Sequence, residues 1–381
     1  MKNIKLLNKI AKVGTDVFDA GYNVGEAVED PAGIMVRSAA LHDMQFPKSL
    51  LAIARAGAGV NNIPVDRCTE EGIVVFNTPG ANANGVKELA VCALVLAARD
   101  VIGGAAWAEG LRGQEGVAKL VESGKSAFAG TELLGKKLGV VGLGAIGGMV
   151  ANAADALGMK VVGYDPYLSP EAAARLNATV ALASGYEQIF ESCDYITLHV
   201  PATATTKNMI CEASLSKMKD GVRIINLARA DLVNAEDMKA AIAAGKVAKY
   251  VVDFPTEATL GVKGIVNIPH LGASTAEAED NCAVMAAKQL KEYLECGNIK
   301  NSVNFPNVSL ARGTENRVCV TYKNAPETLS KITAALCDVA AMASGSRGDI
   351  AYAILDTAGA ADEKALAEIA KIEGVLAVRS F

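Results

Sequence analysis

Short apolar runs alternate with longer helix-forming stretches along most of this chain. Gly33 to Arg37 (GIMVR), Leu51 to Ala56 (LAIARA) and Ile73 to Phe76 (IVVF) are nearly unbroken in apolar residues and stop at polar or glycine-rich turns. Strands covered on both faces read this way, so the first hundred residues predict a parallel α/β sheet. After the turn Asn77-Thr78-Pro79-Gly80, the stretch Val86 to Arg99 (VKELAVCALVLAAR) predicts a long buried helix able to link two domains.

A second strand–helix series runs from Lys137 to about Pro269: LGVVGLG, KVVGYD, DYITLHV, VRIINLA, YVVDF and IVNIPH, with helices between most of them. This predicts a doubly wound parallel sheet. Ala276 to Glu295 is again helical, and Gly297, the polar turn 298–302 and Pro306 mark a boundary. The remainder, Asn316 to Phe381, reads strand (317–323), helix (327–341), a weak strand, strand (350–356), helix (362–372) and strand (376–381). That is a ferredoxin-like βαββαβ plan.

With 381 residues, two or three domains are expected. The composition, 51% hydrophobic and 21% charged, excludes a disordered or fibrous chain. No apolar run reaches the roughly 18 residues that cross a bilayer, and the start, MKNIKLLNKIAKVG, is broken by charges; a cytosolic location is expected. The eight cysteines (68, 92, 193, 211, 282, 296, 319 and 337) include no C-x-x-C pair. Reduced thiols are expected, with neither a disulfide framework nor a metal site. A net charge of −5 without a basic block argues against nucleic acid and for a small ligand.

The chemistry begins at Gly142-Leu143-Gly144-Ala145-Ile146-Gly147. A GxGxxG string is weak evidence by itself in a chain with 36 glycines. Here it follows the apolar strand 138–141 and opens a helix, and Asp165 ends the next strand eighteen residues after the last glycine. The dinucleotide fingerprint places an acidic residue about 20 residues on. Gly142 lets the chain turn, Gly144 lets backbone approach a pyrophosphate and Gly147 lets the helix pack on the strand. The helix N-terminus, with Ala145 and Ile146, supplies amide donors. A carboxylate at Asp165 accepts hydrogen bonds from ribose hydroxyls and repels a 2′-phosphate, so NAD is expected rather than NADP.

Hydride transfer at a carbinol carbon requires a general base for the hydroxyl proton and a cation for the substrate. Of the three histidines, His42 lies in a polar stretch and reads as a surface residue, whereas His199 and His270 both follow apolar strands, and either could serve. Glu257 lies thirteen residues before His270, and a glutamate beside an imidazole raises its pKa. Arg229 ends the strand 222–228 and offers a bidentate fork to a carboxylate. Each is commonplace singly; together, at successive strand ends, they form a catalytic constellation.

Six stretches carry a more specific signal: Ile53-Ala-Arg-Ala-Gly-Ala-Gly-Val-Asn-Asn62, Asn77-Thr-Pro-Gly-Ala-Asn82, the glycine turn with Asp165-Pro-Tyr167, Leu198-His-Val-Pro201, Asn226-Leu-Ala-Arg229 and Pro269-His-Leu-Gly-Ala-Ser-Thr275. In this order the chain resembles the D-isomer-specific 2-hydroxyacid dehydrogenases over essentially its whole length. The resemblance implies that Arg229, Glu257 and His270 form the catalytic set. It adds His199, Pro201, Ala228, Asp253 and Gly272 to the cofactor site and assigns Arg37, Ser38, Gly59, Asn61 and Asn82 to the substrate. Arg37 is the candidate for a substrate phosphate and Arg55 the alternative.

The resemblance further implies a discontinuous substrate domain, of flavodoxin-like plan, over 1–98 and 282–308. A Rossmann domain is implied over 99–281, and an ACT-like module, a type that binds amino acids or joins subunits, over 316–381. Dimerisation through the cofactor domain, with a tetramer as the larger assembly, is also implied. The implied reaction is NAD-dependent oxidation of 3-phospho-D-glycerate to 3-phosphohydroxypyruvate, the first step of serine biosynthesis. An unphosphorylated 2-hydroxy acid such as glycerate or lactate is the alternative substrate, and an NAD-sensing binding protein without catalysis is the alternative of another class.

Three positions depart from the family's pattern. Ala230-Asp231 follows Arg229 where two small residues are usual, so a carboxylate stands beside the cation. The Asp-Val-Phe run is shortened to Asp253-Phe254, and the Pro-Gly turn of the C-terminal module reads Pro326-Glu327.

Overall fold

The computed structural model describes residues 1–336 and 338–381; Cys337, and with it part of the helix expected over 327–341, lies outside the described residues. The chain folds as two compact units, one formed by Met1–Ala81 with Glu279–Phe381 and the other by Asn82–Ala278.

The first unit holds a five-stranded parallel sheet of β1 (Lys2–Leu7), β2 (Tyr22–Gly25), β3 (Gly33–Val36), β4 (Ala52–Arg55) and β5 (Val74–Phe76). Its order, 2-1-3-4-5, is the flavodoxin-like one. Strands β3, β4 and β5 are apolar because both faces are covered. β1 is not apparent from apolar runs: its residues KNIKLL carry two lysines, and only Ile4 is fully buried.

The second unit holds a seven-stranded parallel sheet of β6 (Lys137–Val141), β7 (Lys160–Tyr164), β8 (Ala181–Leu182), β9 (Tyr195–Leu198), β10 (Val222–Asn226), β11 (Val247–Val252) and β12 (Ile265–Asn267). The order 12-11-10-9-6-7-8 reverses between β6 and β9, the switch point at which doubly wound sheets bind ligands. Helix Ala83–Ala98 buries Ala83, Val86, Ala90, Ala93, Leu94, Ala97 and Ala98, a stripe at helical spacing. Its alanines share a core with Val150, Ala151 and Ala154 of the helix that follows the glycine turn. β8, two exposed residues long, is too short to show a strand period.

The C-terminal strands β13 (Asn316–Lys323), β14 (Val339–Arg347), β15 (Ile350–Thr357) and β16 (Val375–Ser380) pair antiparallel in the order 14-15-13-16, with helices Thr328–Ala335 and Glu363–Lys371 between them. This is the expected βαββαβ plan. The first helix is shorter than its propensity suggests because β14 begins at Val339 and recruits the following residues into the sheet.

This sheet shares a core with the rest of its unit: Cys319, Tyr352 and Ile354 pack with Phe76, Leu290, Tyr293 and Phe305. Its other side packs on the two helices through Val318, Val320, Ile332 and Ile369. Arg317 fastens the joint. Its side chain and that of Asp356 are completely buried; Nε donates to Asp356 Oδ1 at 2.6 Å and Nη2 to Oδ2 at 3.0 Å. Nη1 donates to the carbonyl of Cys296 at 2.8 Å and Nη2 to that of Leu310 at 3.1 Å. The seven described cysteines are free, and among the described residues no single helix is long and apolar enough to cross a membrane.

Candidate active site

The site in the second unit is built at the carboxyl ends of β6, β7, β9, β10 and β11. β6 leads into Gly142, whose φ of +89° and whose approach to the carbonyl of His199, 2.6 Å from where a Cβ would lie, both require glycine. A Cβ on Gly147 would lie 1.9 Å from the Gly142 carbonyl oxygen, so turn and helix contact each other backbone to backbone. Gly144 differs: a Cβ there would meet no protein atom within 4 Å. Its bareness serves no internal packing and leaves an open approach to the backbone.

Helix Ala145–Ala156, with Ile146 and Gly147 in its first turn, has no side-chain cap at Gly144. Its first amides and dipole are therefore available to an anion. Asp165, just past β7, is anchored to the same turn: Oδ2 accepts from the Leu143 N–H and Oδ1 from the Tyr167 N–H, both at 2.9 Å. Each carboxylate oxygen keeps acceptor capacity for a hydroxyl. A dinucleotide fits this cradle of open glycine, uncapped helix and fixed carboxylate.

His199 N–H donates to the Val141 carbonyl at 2.8 Å, and its Nε2 lies 3.0 Å from Thr197 Oγ1. Burial pushes this imidazole down to about 4, so it is neutral at physiological pH and forms a floor under the turn, its Cβ 3.3 Å from the Cβ position of Gly147. Pro201, two residues on, is exposed; its carbonyl accepts from Thr206 Oγ1 at 2.6 Å.

At the end of β10 the fully buried Asn226 shapes the next turn. Its Nδ2 donates to the Arg229 carbonyl at 2.9 Å and to Tyr250 Oη at 3.2 Å, and its Oδ1 accepts from the Ala228 N–H at 3.2 Å. Arg229 itself is exposed, with Nη1 on the Ala228 carbonyl at 2.6 Å and its guanidinium 6.0 Å from the Phe254 ring centre. The same Phe254 ring lies 4.5 Å, centre to centre, from the His270 imidazole. Phe254, adjacent to Asp253 because of the shortened run, thus touches both partners of the constellation.

Asp253 is 1% exposed, and neither carboxylate oxygen has a hydrogen-bond partner among the described residues. Burial pushes its carboxyl up to about 6, against the opposing pull of its own nearby backbone N–H, which makes no hydrogen bond to it, and of the Arg229 charge. A buried acceptor pair without a donor is costly unless a ligand supplies one. Gly272, in the loop after His270, packs under Val86 of helix Ala83–Ala98, where a Cβ would approach Val86 Cγ2 to 3.1 Å.

The structure does not join Glu257 to His270. Glu257 is exposed, and among the described residues no ion pair or hydrogen bond links the two. The pKa of His270 is accordingly lowered, by partial burial of the ring and by the Arg229 charge, and not raised as the sequence suggested. No metal-ligating cluster of His, Cys, Asp and Glu occurs among the described residues.

The remaining predicted residues lie in the first unit, apart from Asn82, which precedes helix Ala83–Ala98 with no side-chain capping bond. Arg37 and Ser38 follow β3; the Ser38 N–H donates to Asn8 Oδ1 at 2.9 Å, and Arg37 Nη2 meets Glu279 Oε1 at 2.5 Å. Gly59 and Asn61 lie in the turn after β4, where the Asn61 carbonyl is 3.0 Å from His42 Nε2. Thr197, Tyr250, Phe254 and Glu279 escaped the sequence reading. Only Tyr250 carried a signal, a single aromatic residue within the otherwise small and aliphatic end of β11.

Residues 99–272 match the NAD binding domain of the D-isomer specific 2-hydroxyacid dehydrogenases. A Schizosaccharomyces pombe protein, provisionally named as a D-3-phosphoglycerate dehydrogenase, is 32% identical over 341 residues, covering 82% of this chain and 70% of its own. The chain belongs to the D-isomer-specific 2-hydroxyacid dehydrogenases. The D-3-phosphoglycerate dehydrogenase of Methanocaldococcus jannaschii is 34% identical over 314 residues, 80% of this chain and 58% of that one. The chain spans only about half the length of several curated relatives. An NAD+-bound 3-phosphoglycerate dehydrogenase structure from Entamoeba histolytica superposes with a TM-score of 0.62 at 26% identity, covering 80% of this chain and 98% of that chain.

Proposed function

We propose that this dehydrogenase oxidises 3-phospho-D-glycerate to 3-phosphohydroxypyruvate with NAD, the first step of serine biosynthesis. The observation that carries the reading is the alignment, at the ends of one parallel sheet, of the open dinucleotide cradle with Arg229, the unpartnered Asp253 and His270. Relatives named D-3-phosphoglycerate dehydrogenase matching 72–82% of the chain support the substrate. When bound, NAD supplies the acceptor for the hydride leaving C2.

The chain's residues do the rest. Arg229 holds the substrate carboxylate in its fork, and Asp253 offers buried oxygens to the amide N–H groups of the nicotinamide. His270, its pKa lowered by partial burial and by Arg229, is neutral at physiological pH and takes the C2 hydroxyl proton onto a ring nitrogen. Glu257 turns to the imidazole once ligand is bound, since catalytic hydrogen bonds commonly tighten only in the complex. Arg37 takes the substrate phosphate, with Ser38, Gly59, Asn61 and Asn82 as further substrate contacts.

The reading includes a homodimer through the cofactor domain. Helix Val101–Glu109 (VIGGAAWAE) buries no residue within its own chain, and Val101 and Ile102 are 49% and 47% exposed. Trp107 packs on Phe128, but the exposed apolar side of the helix, with Val101 and Ile102, is what a second copy would bury. The reading also places the enzyme in the cytoplasm, in keeping with its free thiols. The C-terminal module is read as ACT-like; Glu327, in place of glycine, puts a side chain where backbone would approach an amino acid.

Purified protein is expected to form NADH from 3-phosphoglycerate at alkaline pH, and His270→Asn to abolish turnover while sparing NADH binding. Normal NAD binding with no NADH formed from this substrate refutes the reading. The alternative, an unphosphorylated 2-hydroxy acid, is favoured by one observation: Arg37 is already paired with Glu279. A substrate panel followed by NADH absorbance separates the two.

A further inference from the structure

The pairing of Arg37 supports an inference about specificity that rests on the reading of Arg37 as the phosphate partner. β3 and β4 are neighbours with Val36 opposite Arg55, so Arg37 and Arg55 emerge together at the carboxyl end of the sheet. Arg55 Nε donates to the Arg37 carbonyl at 3.1 Å, which fixes the backbone that carries Arg37. The Arg37 guanidinium is held across the chain by Glu279, in the first turn of helix Ala276–Cys296, with Nη2 and Oε1 2.5 Å apart.

The burial of the pair decides what it can do. Its side chains are 43% and 41% exposed, so both charges remain solvated. An exposed ion pair of this kind changes an equilibrium by a factor of at most about five. A phosphate carries up to two charges and three strong acceptor oxygens, and its charge-assisted bonds to a guanidinium fork are stronger. The carboxylate therefore holds Arg37 while the anion site is empty and yields when a phosphate arrives.

We infer that Glu279 is a specificity-determining residue, an internal competitor that occupies Arg37 until the distal phosphate of a phosphorylated 2-hydroxy acid displaces it. An unphosphorylated acid has nothing to displace it with and binds without help from Arg37. Glu279 thus lowers the affinity for phosphorylated ligands by a bounded factor and leaves the others untouched.

The test is a double-mutant cycle on the full chain, with inorganic phosphate as probe in titration calorimetry and thermal melts to verify folding. Glu279→Gln should tighten phosphate binding about two- to fivefold, Arg37→Ala should weaken it at least about tenfold, and Glu279→Gln should have no effect in the Arg37→Ala background. In turnover, Glu279→Gln should lower KM for 3-phosphoglycerate by a similar factor without changing kcat or the KM for D-glycerate. Unchanged or weaker phosphate binding in Glu279→Gln, or the same gain without Arg37, overturns the inference. Absence of 3-phosphoglycerate turnover with the phosphate cycle intact would instead overturn the substrate reading and leave the competitor role standing.

Discussion

Removing Asp356 tests the buried joint that fixes the C-terminal sheet. Asp356→Ala deprives Arg317 of two bonds, Nε–Oδ1 at 2.6 Å and Nη2–Oδ2 at 3.0 Å, and leaves a guanidinium with no exposed surface and no counter-charge. The carbonyls of Cys296 and Leu310 still accept from it, but they offset none of the net charge. Breaking one side of such a pair costs about 3–5 kcal/mol. The expected loss is therefore in that range, and the double variant Arg317→Met/Asp356→Ala should lose at least about 2 kcal/mol less than the sum of the single losses.

Urea unfolding with two probes locates the effect. Trp107 is the single tryptophan and belongs to the Asn82–Ala278 unit, so its fluorescence reports that unit, whereas far-UV circular dichroism reports both. The destabilised transition should appear in dichroism and leave the Trp107 transition in place. Burial pushes the Asp356 carboxyl up, but hydrogen bonds from Arg317 and Gly313 outweigh it and hold the group below its ordinary value. The wild-type advantage should therefore be complete above about pH 4 and shrink as the pH falls below it. A loss under about 1 kcal/mol, or strict additivity of the two substitutions, would refute the reasoning.

Gly147→Ala would place a methyl 1.9 Å from the Gly142 carbonyl oxygen; NADH affinity measured by fluorescence should fall at least about tenfold, and a Kd within a factor of two would sink the backbone-contact argument. Asp165→Ser should narrow the preference for NAD over NADP by relieving charge repulsion, read as the ratio of kcat/KM values; an unchanged ratio would remove Asp165 from cofactor selection. Burial holds the Asp253 carboxyl at about 6, above an unfolded-state value near 3.9, so its contribution to stability is full below about pH 4 and is lost as the pH rises through 6. Asp253→Asn should accordingly stabilise the ligand-free protein at pH 7.5 by on the order of 2 kcal/mol and do nothing at pH 4; equal melting shifts at both pH values would contradict this.

The strands that frame the site were legible because parallel strands buried on both faces are continuous in apolar residues; GIMV, AIAR, KLGVV and VRIIN all announce themselves. β1 and β8 were not, since KNIKLL, though paired on both sides, buries only Ile4 completely, and a two-residue strand is too short to show a period. The glycine turn could be read because each glycine has its own backbone requirement, and Asp165 because its offset follows from the length of one helix and one strand. Glu279 and Phe254 were invisible because their roles depend on what they touch across long stretches of chain: Glu279 meets a residue 242 positions away. Glu257 shows the opposite failure, a motif residue whose expected neighbour is not beside it in the structure.

The first unit is assembled from two segments made at opposite times. Phe76 and Ile4 share their core with Leu290, Phe305, Cys319 and Ile354, so the Met1–Ala81 segment leaves the ribosome lacking the partners that would bury one side of its sheet. At about 5–20 residues per second, it waits on the order of tens of seconds while the continuous Asn82–Ala278 unit is synthesised and can fold alone. During that interval Ile34, Val36 and Ile53 can pack within their own segment, but the opposite face of the same strands, with Met35, Ala52 and Ala54, stays uncovered. The order of synthesis, rather than the stability of the finished fold, is then the vulnerable stage of this protein's life, and holding chaperones should matter most for chains arrested between Ala81 and Glu279.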